Sequence, residues 1–300
     1  MNKEAGQPLL CGFMNEEGDM DFYRCEQVTA HIIRIRAFWD DACMYYIRGS
    51  KKGLLIDTGY GFGDLKTYVD DLADQPYDVV LSHGHLDHAG GAGQWTDVYM
   101  NHEDLDLYHV HGQISERKNF LSRFVKDLDT YPDDMFIPLH DDNFIELRDG
   151  DEFDLGDVHV KAFHAPGHTH GMMVFLINED RTMLYGDACG VFTLFCMEEC
   201  TSIETFARVT LKKLKDLQPY YGRILRQHGT CESPMSLLDE DIAIAESIMN
   251  GTDDRQETIF NGITCFAAKR VDPSSGKRED GGEGNIIYIP EKVREMHEDI

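Results

Sequence analysis

The sequence predicts an α/β fold in which short buried strands alternate with helices. Two observations carry this expectation. Short apolar runs recur along the chain and end at glycine-flanked polar residues, as buried strands do. Between them lie stretches with apolar residues at helical spacing, of which Leu65, Tyr68, Val69 and Leu72 are the clearest. The 300 residues are 42% hydrophobic, enough for a sizeable core, and 28% charged residues with nine prolines argue against disorder.

Taken in order, 31–37, 43–47 and 53–56 read as strands, the last ending at Asp57-Thr58-Gly59. The helix at 65–72 follows Gly59, Gly61 and Gly63. Those glycines lack Gly-x-Gly-x-x-Gly spacing and no Gly-Lys-Ser/Thr follows, so they make a turn rather than a phosphate cradle. Residues 78–81 form a buried strand between Pro76 and His83-Gly84, and 98–100 another. From 102 to about 130 the pattern is helical, with Leu121, Phe124, Val125 and Leu128 on one face and a break at Tyr131-Pro132. Strands follow at 143–147, 152–155 and 158–163, then a hairpin, 174–177 with 182–185, across Asn178-Glu179-Asp180. A helix over 203–217 stops before Pro219. Ser233-Pro234 reads as the N-cap and first residue of a helix that ends near Asn250-Gly251. The tail, 259–269 and 285–289, reads as a hairpin around a Gly- and Ser-rich turn. With no repeat or linker, one domain is expected over 1–300, carrying a helical insertion around 102–136.

Charge narrows the partners. Lys and Arg number 28 against 55 Asp and Glu, a formal charge of −27, which would repel a phosphate backbone. Nucleic acid is therefore not expected, and no stretch is apolar enough for a bilayer. The eight cysteines form no Cys-x-x-Cys pair and the first residues lack an apolar signal core, so a cytoplasmic setting is expected. Cys196 and Cys200, at helical spacing, read as buried thiols rather than metal ligands. A small-molecule substrate fits best, and self-association is left open.

The chemistry concentrates at Ser82-His83-Gly84-His85-Leu86-Asp87-His88, three imidazoles and a carboxylate in a strand-end turn. Imidazole and carboxylate are the ligands that zinc and ferrous iron prefer. Three further residues follow an apolar strand and are trailed by glycine: His168 in Pro-Gly-His-Thr-His-Gly, Asp187 in Tyr-Gly-Asp, and His228 in Gln-His-Gly. Ligands on loops at strand ends make the expected layout of a metal-dependent active site. No Gly-x-Ser-x-Gly elbow competes for the chemistry. His170, two residues beyond His168, could meet substrate or solvent, and His109-Val110-His111 reads as surface helix.

Together these residues resemble the metallo-β-lactamase superfamily, over 43–229. The resemblance implies a four-layer αβ/βα sandwich with two divalent metal ions at one edge, zinc first, iron or manganese as alternatives. It implies that His83, His85 and His168 hold one ion, and Asp87, His88 and His228 the other. Asp187 would bridge them, and Asp57 would support the site from behind, although a turn explains Asp57 equally well. Water activated by the ions would then attack an ester-type bond, with Asp87 orienting it or taking its proton.

The departures are informative. Lactam-cleaving relatives usually lack the bridging aspartate that stands here as Asp187, and acyl-homoserine lactonases carry tyrosine where this chain has Gly190. Glyoxalase II-like thioesterases fit the motifs best, although Lys269, Arg270, Lys277 and Arg278 read as a solvated hairpin rather than a glutathione site. The expected activity is hydrolysis of a small ester, thioester or lactone. The alternative is a mononuclear-iron dioxygenase of the persulfide dioxygenase type. A last expectation concerns 102–136, whose Phe124, Tyr131, Met135 and Phe136 would either pack as core or cap the metals over an apolar acyl group.

Overall fold

The computed structural model describes residues 13–14, 20–39, 41–141 and 143–295, so Cys11 and His297 lie outside the described residues. Strands Tyr23–Gln27 (β1), Ile32–Ala37 (β2), Cys43–Arg48 (β3), Gly53–Ile56 (β4), Tyr77–Val80 (β5), Val98–Met100 (β6) and Ile145–Glu146 (β7) form one sheet in that order. Its first four strands pair antiparallel; from β4 to β7 they run parallel. A second sheet has the order Glu152–Asp154 (β8), His159–His164 (β9), Met173–Ile177 (β10), Thr182–Leu184 (β11), Arg223–Leu225 (β13) and Glu232–Ser233 (β14). Thr193–Phe195 (β12) joins Gln256–Phe260 (β15), Ile263–Ala267 (β16) and Ile286–Tyr288 (β17) in a small third sheet.

Alternation along the strands sorts the core into layers. Leu54, Ile56 and Val80 face Val160, Phe175, Ile177 and Leu225, joining the two large sheets. Their neighbours Leu55, Val79 and Leu81 face the other way, onto Leu65 and Val69 of helix Leu65–Leu72 (α1). On the far side, Val174, Leu176 and Ile224 pack on Phe206, Leu214 and Ile244. Those helical residues belong to Ile203–Thr205, Phe206–Leu211 and Lys212–Leu217, which run on with a π-turn in the middle, and to Leu237–Asn250. Two sheets buried on both faces between outer helices are the expected αβ/βα sandwich.

Three sequence expectations need correction. Beyond the short helix Leu86–Ala89 (α2), the helical stretch from 102 is not continuous: it breaks into Leu105–His111 (α3) and Ile114–Leu121 (α4), after which turns carry Val125 and Leu128 into the core. Ser233 does not cap a helix. It pairs with Ile224 in β14, and its hydroxyl accepts from Arg226 Nε (2.8 Å) and donates to Glu283 (2.6 Å), so the helix begins later, at Leu237. The tail hairpin turns at Asn261-Gly262, joining β15 to β16, and β17 then adds as a third strand. Both turn residues have positive φ, 48° and 81°, as a type I′ turn requires.

Candidate metal centre

The clustered residues sit at one end of the sandwich. Asp57 follows β4, His83 to His88 follow β5, Asp187 follows β11, His228 follows β13, and His168 occupies the β9–β10 connection. Two glycines make the approach possible. A Cβ on Gly84 would lie 2.8 Å from Asp104 O, and one on Gly186 would lie 2.6 Å from Gln227 Oε1.

Three ring nitrogens converge first: His83 Nε2 and His168 Nε2 each lie 3.0 Å from His85 Nδ1. A second group gathers beside it, with His88 Nε2 and His228 Nε2 3.2 Å apart and Asp87 Oδ2 3.4 and 3.3 Å from them. Asp187 Oδ2 lies between the groups, 3.8 Å from His168 Nε2, 3.5 Å from His88 Nε2 and 3.2 Å from His228 Nε2. Within each of three groups (His83, His85 and His168; His83, His88 and Asp187; Asp87, His88 and His228) the ligand atoms lie within 4.8 Å of one another. All seven ligand candidates are thus brought together.

The donor set fits divalent cations. Four of the five histidines turn their outer nitrogen to an acceptor, which fixes the tautomer and leaves the inner lone pair facing the cluster. His88 Nδ1 donates to Asp57 Oδ2 (2.9 Å), His85 Nε2 to Glu199 (3.1 Å), and His228 Nδ1 to Asp41 (3.3 Å). His83 Nδ1 donates to Ser82 Oγ (2.9 Å), whose hydroxyl in turn donates to Asp57 (2.7 Å). Of these five histidines, His168 alone has its outer nitrogen, Nδ1, buried without a partner. Inner lone pairs about 3 Å apart repel unless a proton or a cation stands between them.

Electrostatics point the same way. Burial, then the neighbouring imidazoles of His88 and His85, push His83 well down. Burial and His85 push His168 down to about 4. These two stay neutral and ready to coordinate. Burial opposes charge on His88 and His228 too, but Asp87 and Asp187 overcome it for His88, and Asp187 leads the effect at His228, pushing both well up. The carboxylates therefore demand positive charge at this point. At the rim, burial opposes ionisation of Glu199, yet the His85 hydrogen bond outweighs it and holds the carboxyl down at about 2.

Asp57 is more than a turn residue. It is buried with φ 66°, a left-handed conformation that aspartate tolerates. Its carboxylate accepts from Ser82 N (2.6 Å), Ser82 Oγ, His88 and Gln227 Nε2. Sequence reasoning missed Asp41, Glu199 and Asp104, single acidic residues with no local motif. It also missed His111, whose ring stacks on His85 at 5.0 Å and lines the cavity over the cluster, where a surface position was expected.

That cavity has a volume of about 890 Å³. Its floor is His85, Asp87, His168, Asp187 and His228; its walls come from α4 and the turns after it, from 190–199, and from the β15–β16 hairpin. Phe124 lines it, but Tyr131, Met135 and Phe136 do not: they pack against the core around Phe62. His170 is exposed and does not line it.

Two sheets between outer helices, with ligands gathered at their carboxyl ends, define a metallohydrolase-type scaffold. The family model of the metallo-beta-lactamase superfamily matches residues 39–225, and the chain belongs to that superfamily. Acyl-coenzyme A thioesterase MBLAC2 of Homo sapiens is 28% identical over 226 residues, 70% of this chain and 72% of that protein. Atrochrysone carboxyl ACP thioesterase of Aspergillus fumigatus is 26% identical over 147 residues, 48% of this chain and 28% of its own. Among solved structures, a metallo-beta-lactamase from Pontibacter korlensis superposes with a TM-score of 0.53 at 14% identity, covering 74% of this chain and 97% of that one, which supports the fold. Among the described residues, no helix is long and apolar enough to cross a membrane.

Proposed function

We propose that the protein is a metal-dependent hydrolase that cleaves a small acyl thioester or a related ester. In this reading His83, His85 and His168 would hold one divalent cation and Asp87, His88 and His228 a second, with Asp187 placed to serve as a ligand beside both groups. Zinc suits the imidazole and carboxylate donors, with iron and manganese as alternatives. One observation carries the reading: Asp187 Oδ2 lies between the two ligand groups, on the floor of a cavity with room for a substrate. When bound, such cations supply Lewis acidity and lower the pKa of water towards neutrality.

The chain's own groups do the rest. The Asp87 carboxylate, beside His88 and His228, is placed to take the proton of the water that adds to the acyl carbon. Asp57, Glu199 and Asp41 hold His88, His85 and His228 in the tautomers that present their inner nitrogens. The thioester class is favoured by two relatives named as thioesterases. Buried free thiols at Cys43, Cys189, Cys196 and Cys265 suit a reducing cytoplasm. One domain with a helical insertion over the site remains our reading of the chain's organisation.

Elemental analysis of the purified protein, joined to a panel of thioesters, esters, lactones and phosphodiesters, tests this. Two metals per chain with thioester or ester turnover is expected. A single iron with oxygen consumption would replace the hydrolase by the dioxygenase.

A further inference from the structure

The cavity floor is charged, whereas its upper walls carry several large apolar side chains. Phe120 and Phe124 of the α4 segment stand on one side, and Phe192, Leu194 and Ile263 on the other. Phe192 and Ile263, 43% and 41% exposed, present their apolar side chains to the cavity. Phe120 and Phe124 lie 5.9 Å apart, and Phe120 also stacks on Tyr60 at 6.1 Å, which anchors that wall to the loop after β4.

The two walls are joined by one polar link. Arg123 Nη1 donates to Asn261 Oδ1 at 3.0 Å, and the Arg123 guanidinium lies over the Phe120 ring at 4.4 Å. Asn261 sits in the two-residue turn that joins β15 to β16, so its side chain is carried by the tip of that hairpin. The link spans residues 138 positions apart in the chain and ties α4's flank to the third sheet.

We infer that this channel holds a neutral, extended acyl chain of medium to long length, with Arg123 and Asn261 clamped across it; this rests on the reading of the floor as an acyl hydrolase. The occupant follows from three features. The channel is continuous with Asp87, Asp187 and His228, so a group bound there is attached to the bond being cleaved. Its apolar walls favour methylenes, each contributing in proportion to the area removed from water. Arg123 and Arg226 line the cavity, but the acidic Glu116, Glu198 and Glu199, with Asp41, Asp87 and Asp187 on the floor, outnumber them, so a chain ending in an anion is disfavoured. The residues that select chain length are then Phe124, Phe192 and Ile263, none of them a metal-ligand candidate.

The test is direct binding to the full-length, metal-loaded protein. Non-hydrolysable S-(2-oxoalkyl) thioethers of N-acetylcysteamine with butyl, octyl and dodecyl tails are titrated by calorimetry, together with a dodecyl tail ending in carboxylate. Affinity should rise by roughly twofold or more per methylene, about 250-fold or more across the series, and the terminal carboxylate should abolish most of that gain. Phe124→Ala and Phe192→Ala should each weaken the dodecyl compound about tenfold and the butyl compound less than twofold. Phe192 is exposed, so its replacement leaves the fold intact even if Phe124→Ala does not. Asn261→Gly keeps the turn and should speed dodecyl release several-fold. Equal affinity across the tails, or equal losses for butyl and dodecyl in the variants, overturns the inference. Unchanged dodecyl release from Asn261→Gly overturns the clamp. Turnover of matching thioesters separates the two readings. Hydrolysis of every length without discrimination sinks the channel and keeps the hydrolase, whereas graded binding without any hydrolysis sinks the hydrolase and keeps the channel.

Discussion

The Thr169 hydroxyl donates to Asp104 Oδ2 at 2.7 Å, and through that bond a helix residue ties together two loops of the site. The same carboxylate accepts from Gly84 N (3.0 Å) and Gly171 N (2.6 Å). Gly84 lies between His83 and His85, while Thr169 and Gly171 flank the turn of His168. Asp104 touches none of the inner nitrogens, yet it sets how three of them meet.

Replacing Asp104 tests this. Asp104→Asn turns an amide towards groups that already donate, leaving at least one buried donor unpaired. Bound metal should fall, and activity should drop about 10- to 100-fold, as for other residues that support metal ligands from behind. Elemental analysis beside circular dichroism would check it: a folded variant with full metal content would show that the loops hold their places without Asp104.

Asp187→Ala removes the one carboxylate facing both ligand groups. Bound metal should fall from about two per chain towards one, and turnover by orders of magnitude. Retention of two metals at full activity would remove Asp187 from between the ions. Asp87→Asn is the matched comparison. It keeps an oxygen ligand but cannot take a proton, so kcat should fall further than metal content.

The contrast between these residues shows what a sequence makes legible. His83 to His88 were readable because four ligands fall in one turn, and His168, Asp187 and His228 because each ends an apolar run before glycine. Asp104 pairs with Thr169 across 65 positions, Glu199 with His85 across 114, and Asp41 with His228 across 187. Nothing local marks such residues; only the closed sandwich makes them neighbours. The central strands were readable as short apolar runs, since both faces of the two large sheets are buried there. The tail was misread although Asn261-Gly262 between alternating residues is a strong hairpin signal. Ser233 was misread because its competing partners, Arg226 and Glu283, are set by tertiary structure.

Arg117 is fully buried and donates to five backbone carbonyls. Its Nη1 reaches Tyr60 O (3.0 Å), Gly61 O (3.1 Å) and Gly90 O (3.0 Å), its Nε reaches Gly112 O (2.8 Å), and its Nη2 reaches Ile137 O. Burial pushes it down to about 10, still charged at neutral pH. Lysine cannot reproduce the planar fork, so Arg117→Lys leaves several carbonyls unpaired. Stability should fall by about 3 kcal/mol or more, lowering Tm by roughly 10 °C in thermal denaturation. A shift of a degree or two would mean that water replaces the lost bonds.

The last prediction concerns Asp241, buried behind the site in the helix Leu237–Asn250. Cys189 Sγ donates to its Oδ2 at 2.8 Å, while its Oδ1 has no partner. Burial pushes Asp241 up to about 8; the Cys189 hydrogen bond, Arg278 and Arg226 oppose this, and Glu240 adds to it. The folded protein thus holds a proton that the unfolded chain releases above about pH 4. Unfolding loses that proton, so the group's contribution to stability declines as pH rises from about 4 and is gone above about 8. Asparagine at this position is neutral at every pH. Asp241→Asn should therefore melt within a degree or two of the parent at pH 5 and several degrees above it at pH 8.5, by calorimetry at both values. A Tm difference that stays constant between the two pH values would show that Asp241 does not carry its proton in the folded state.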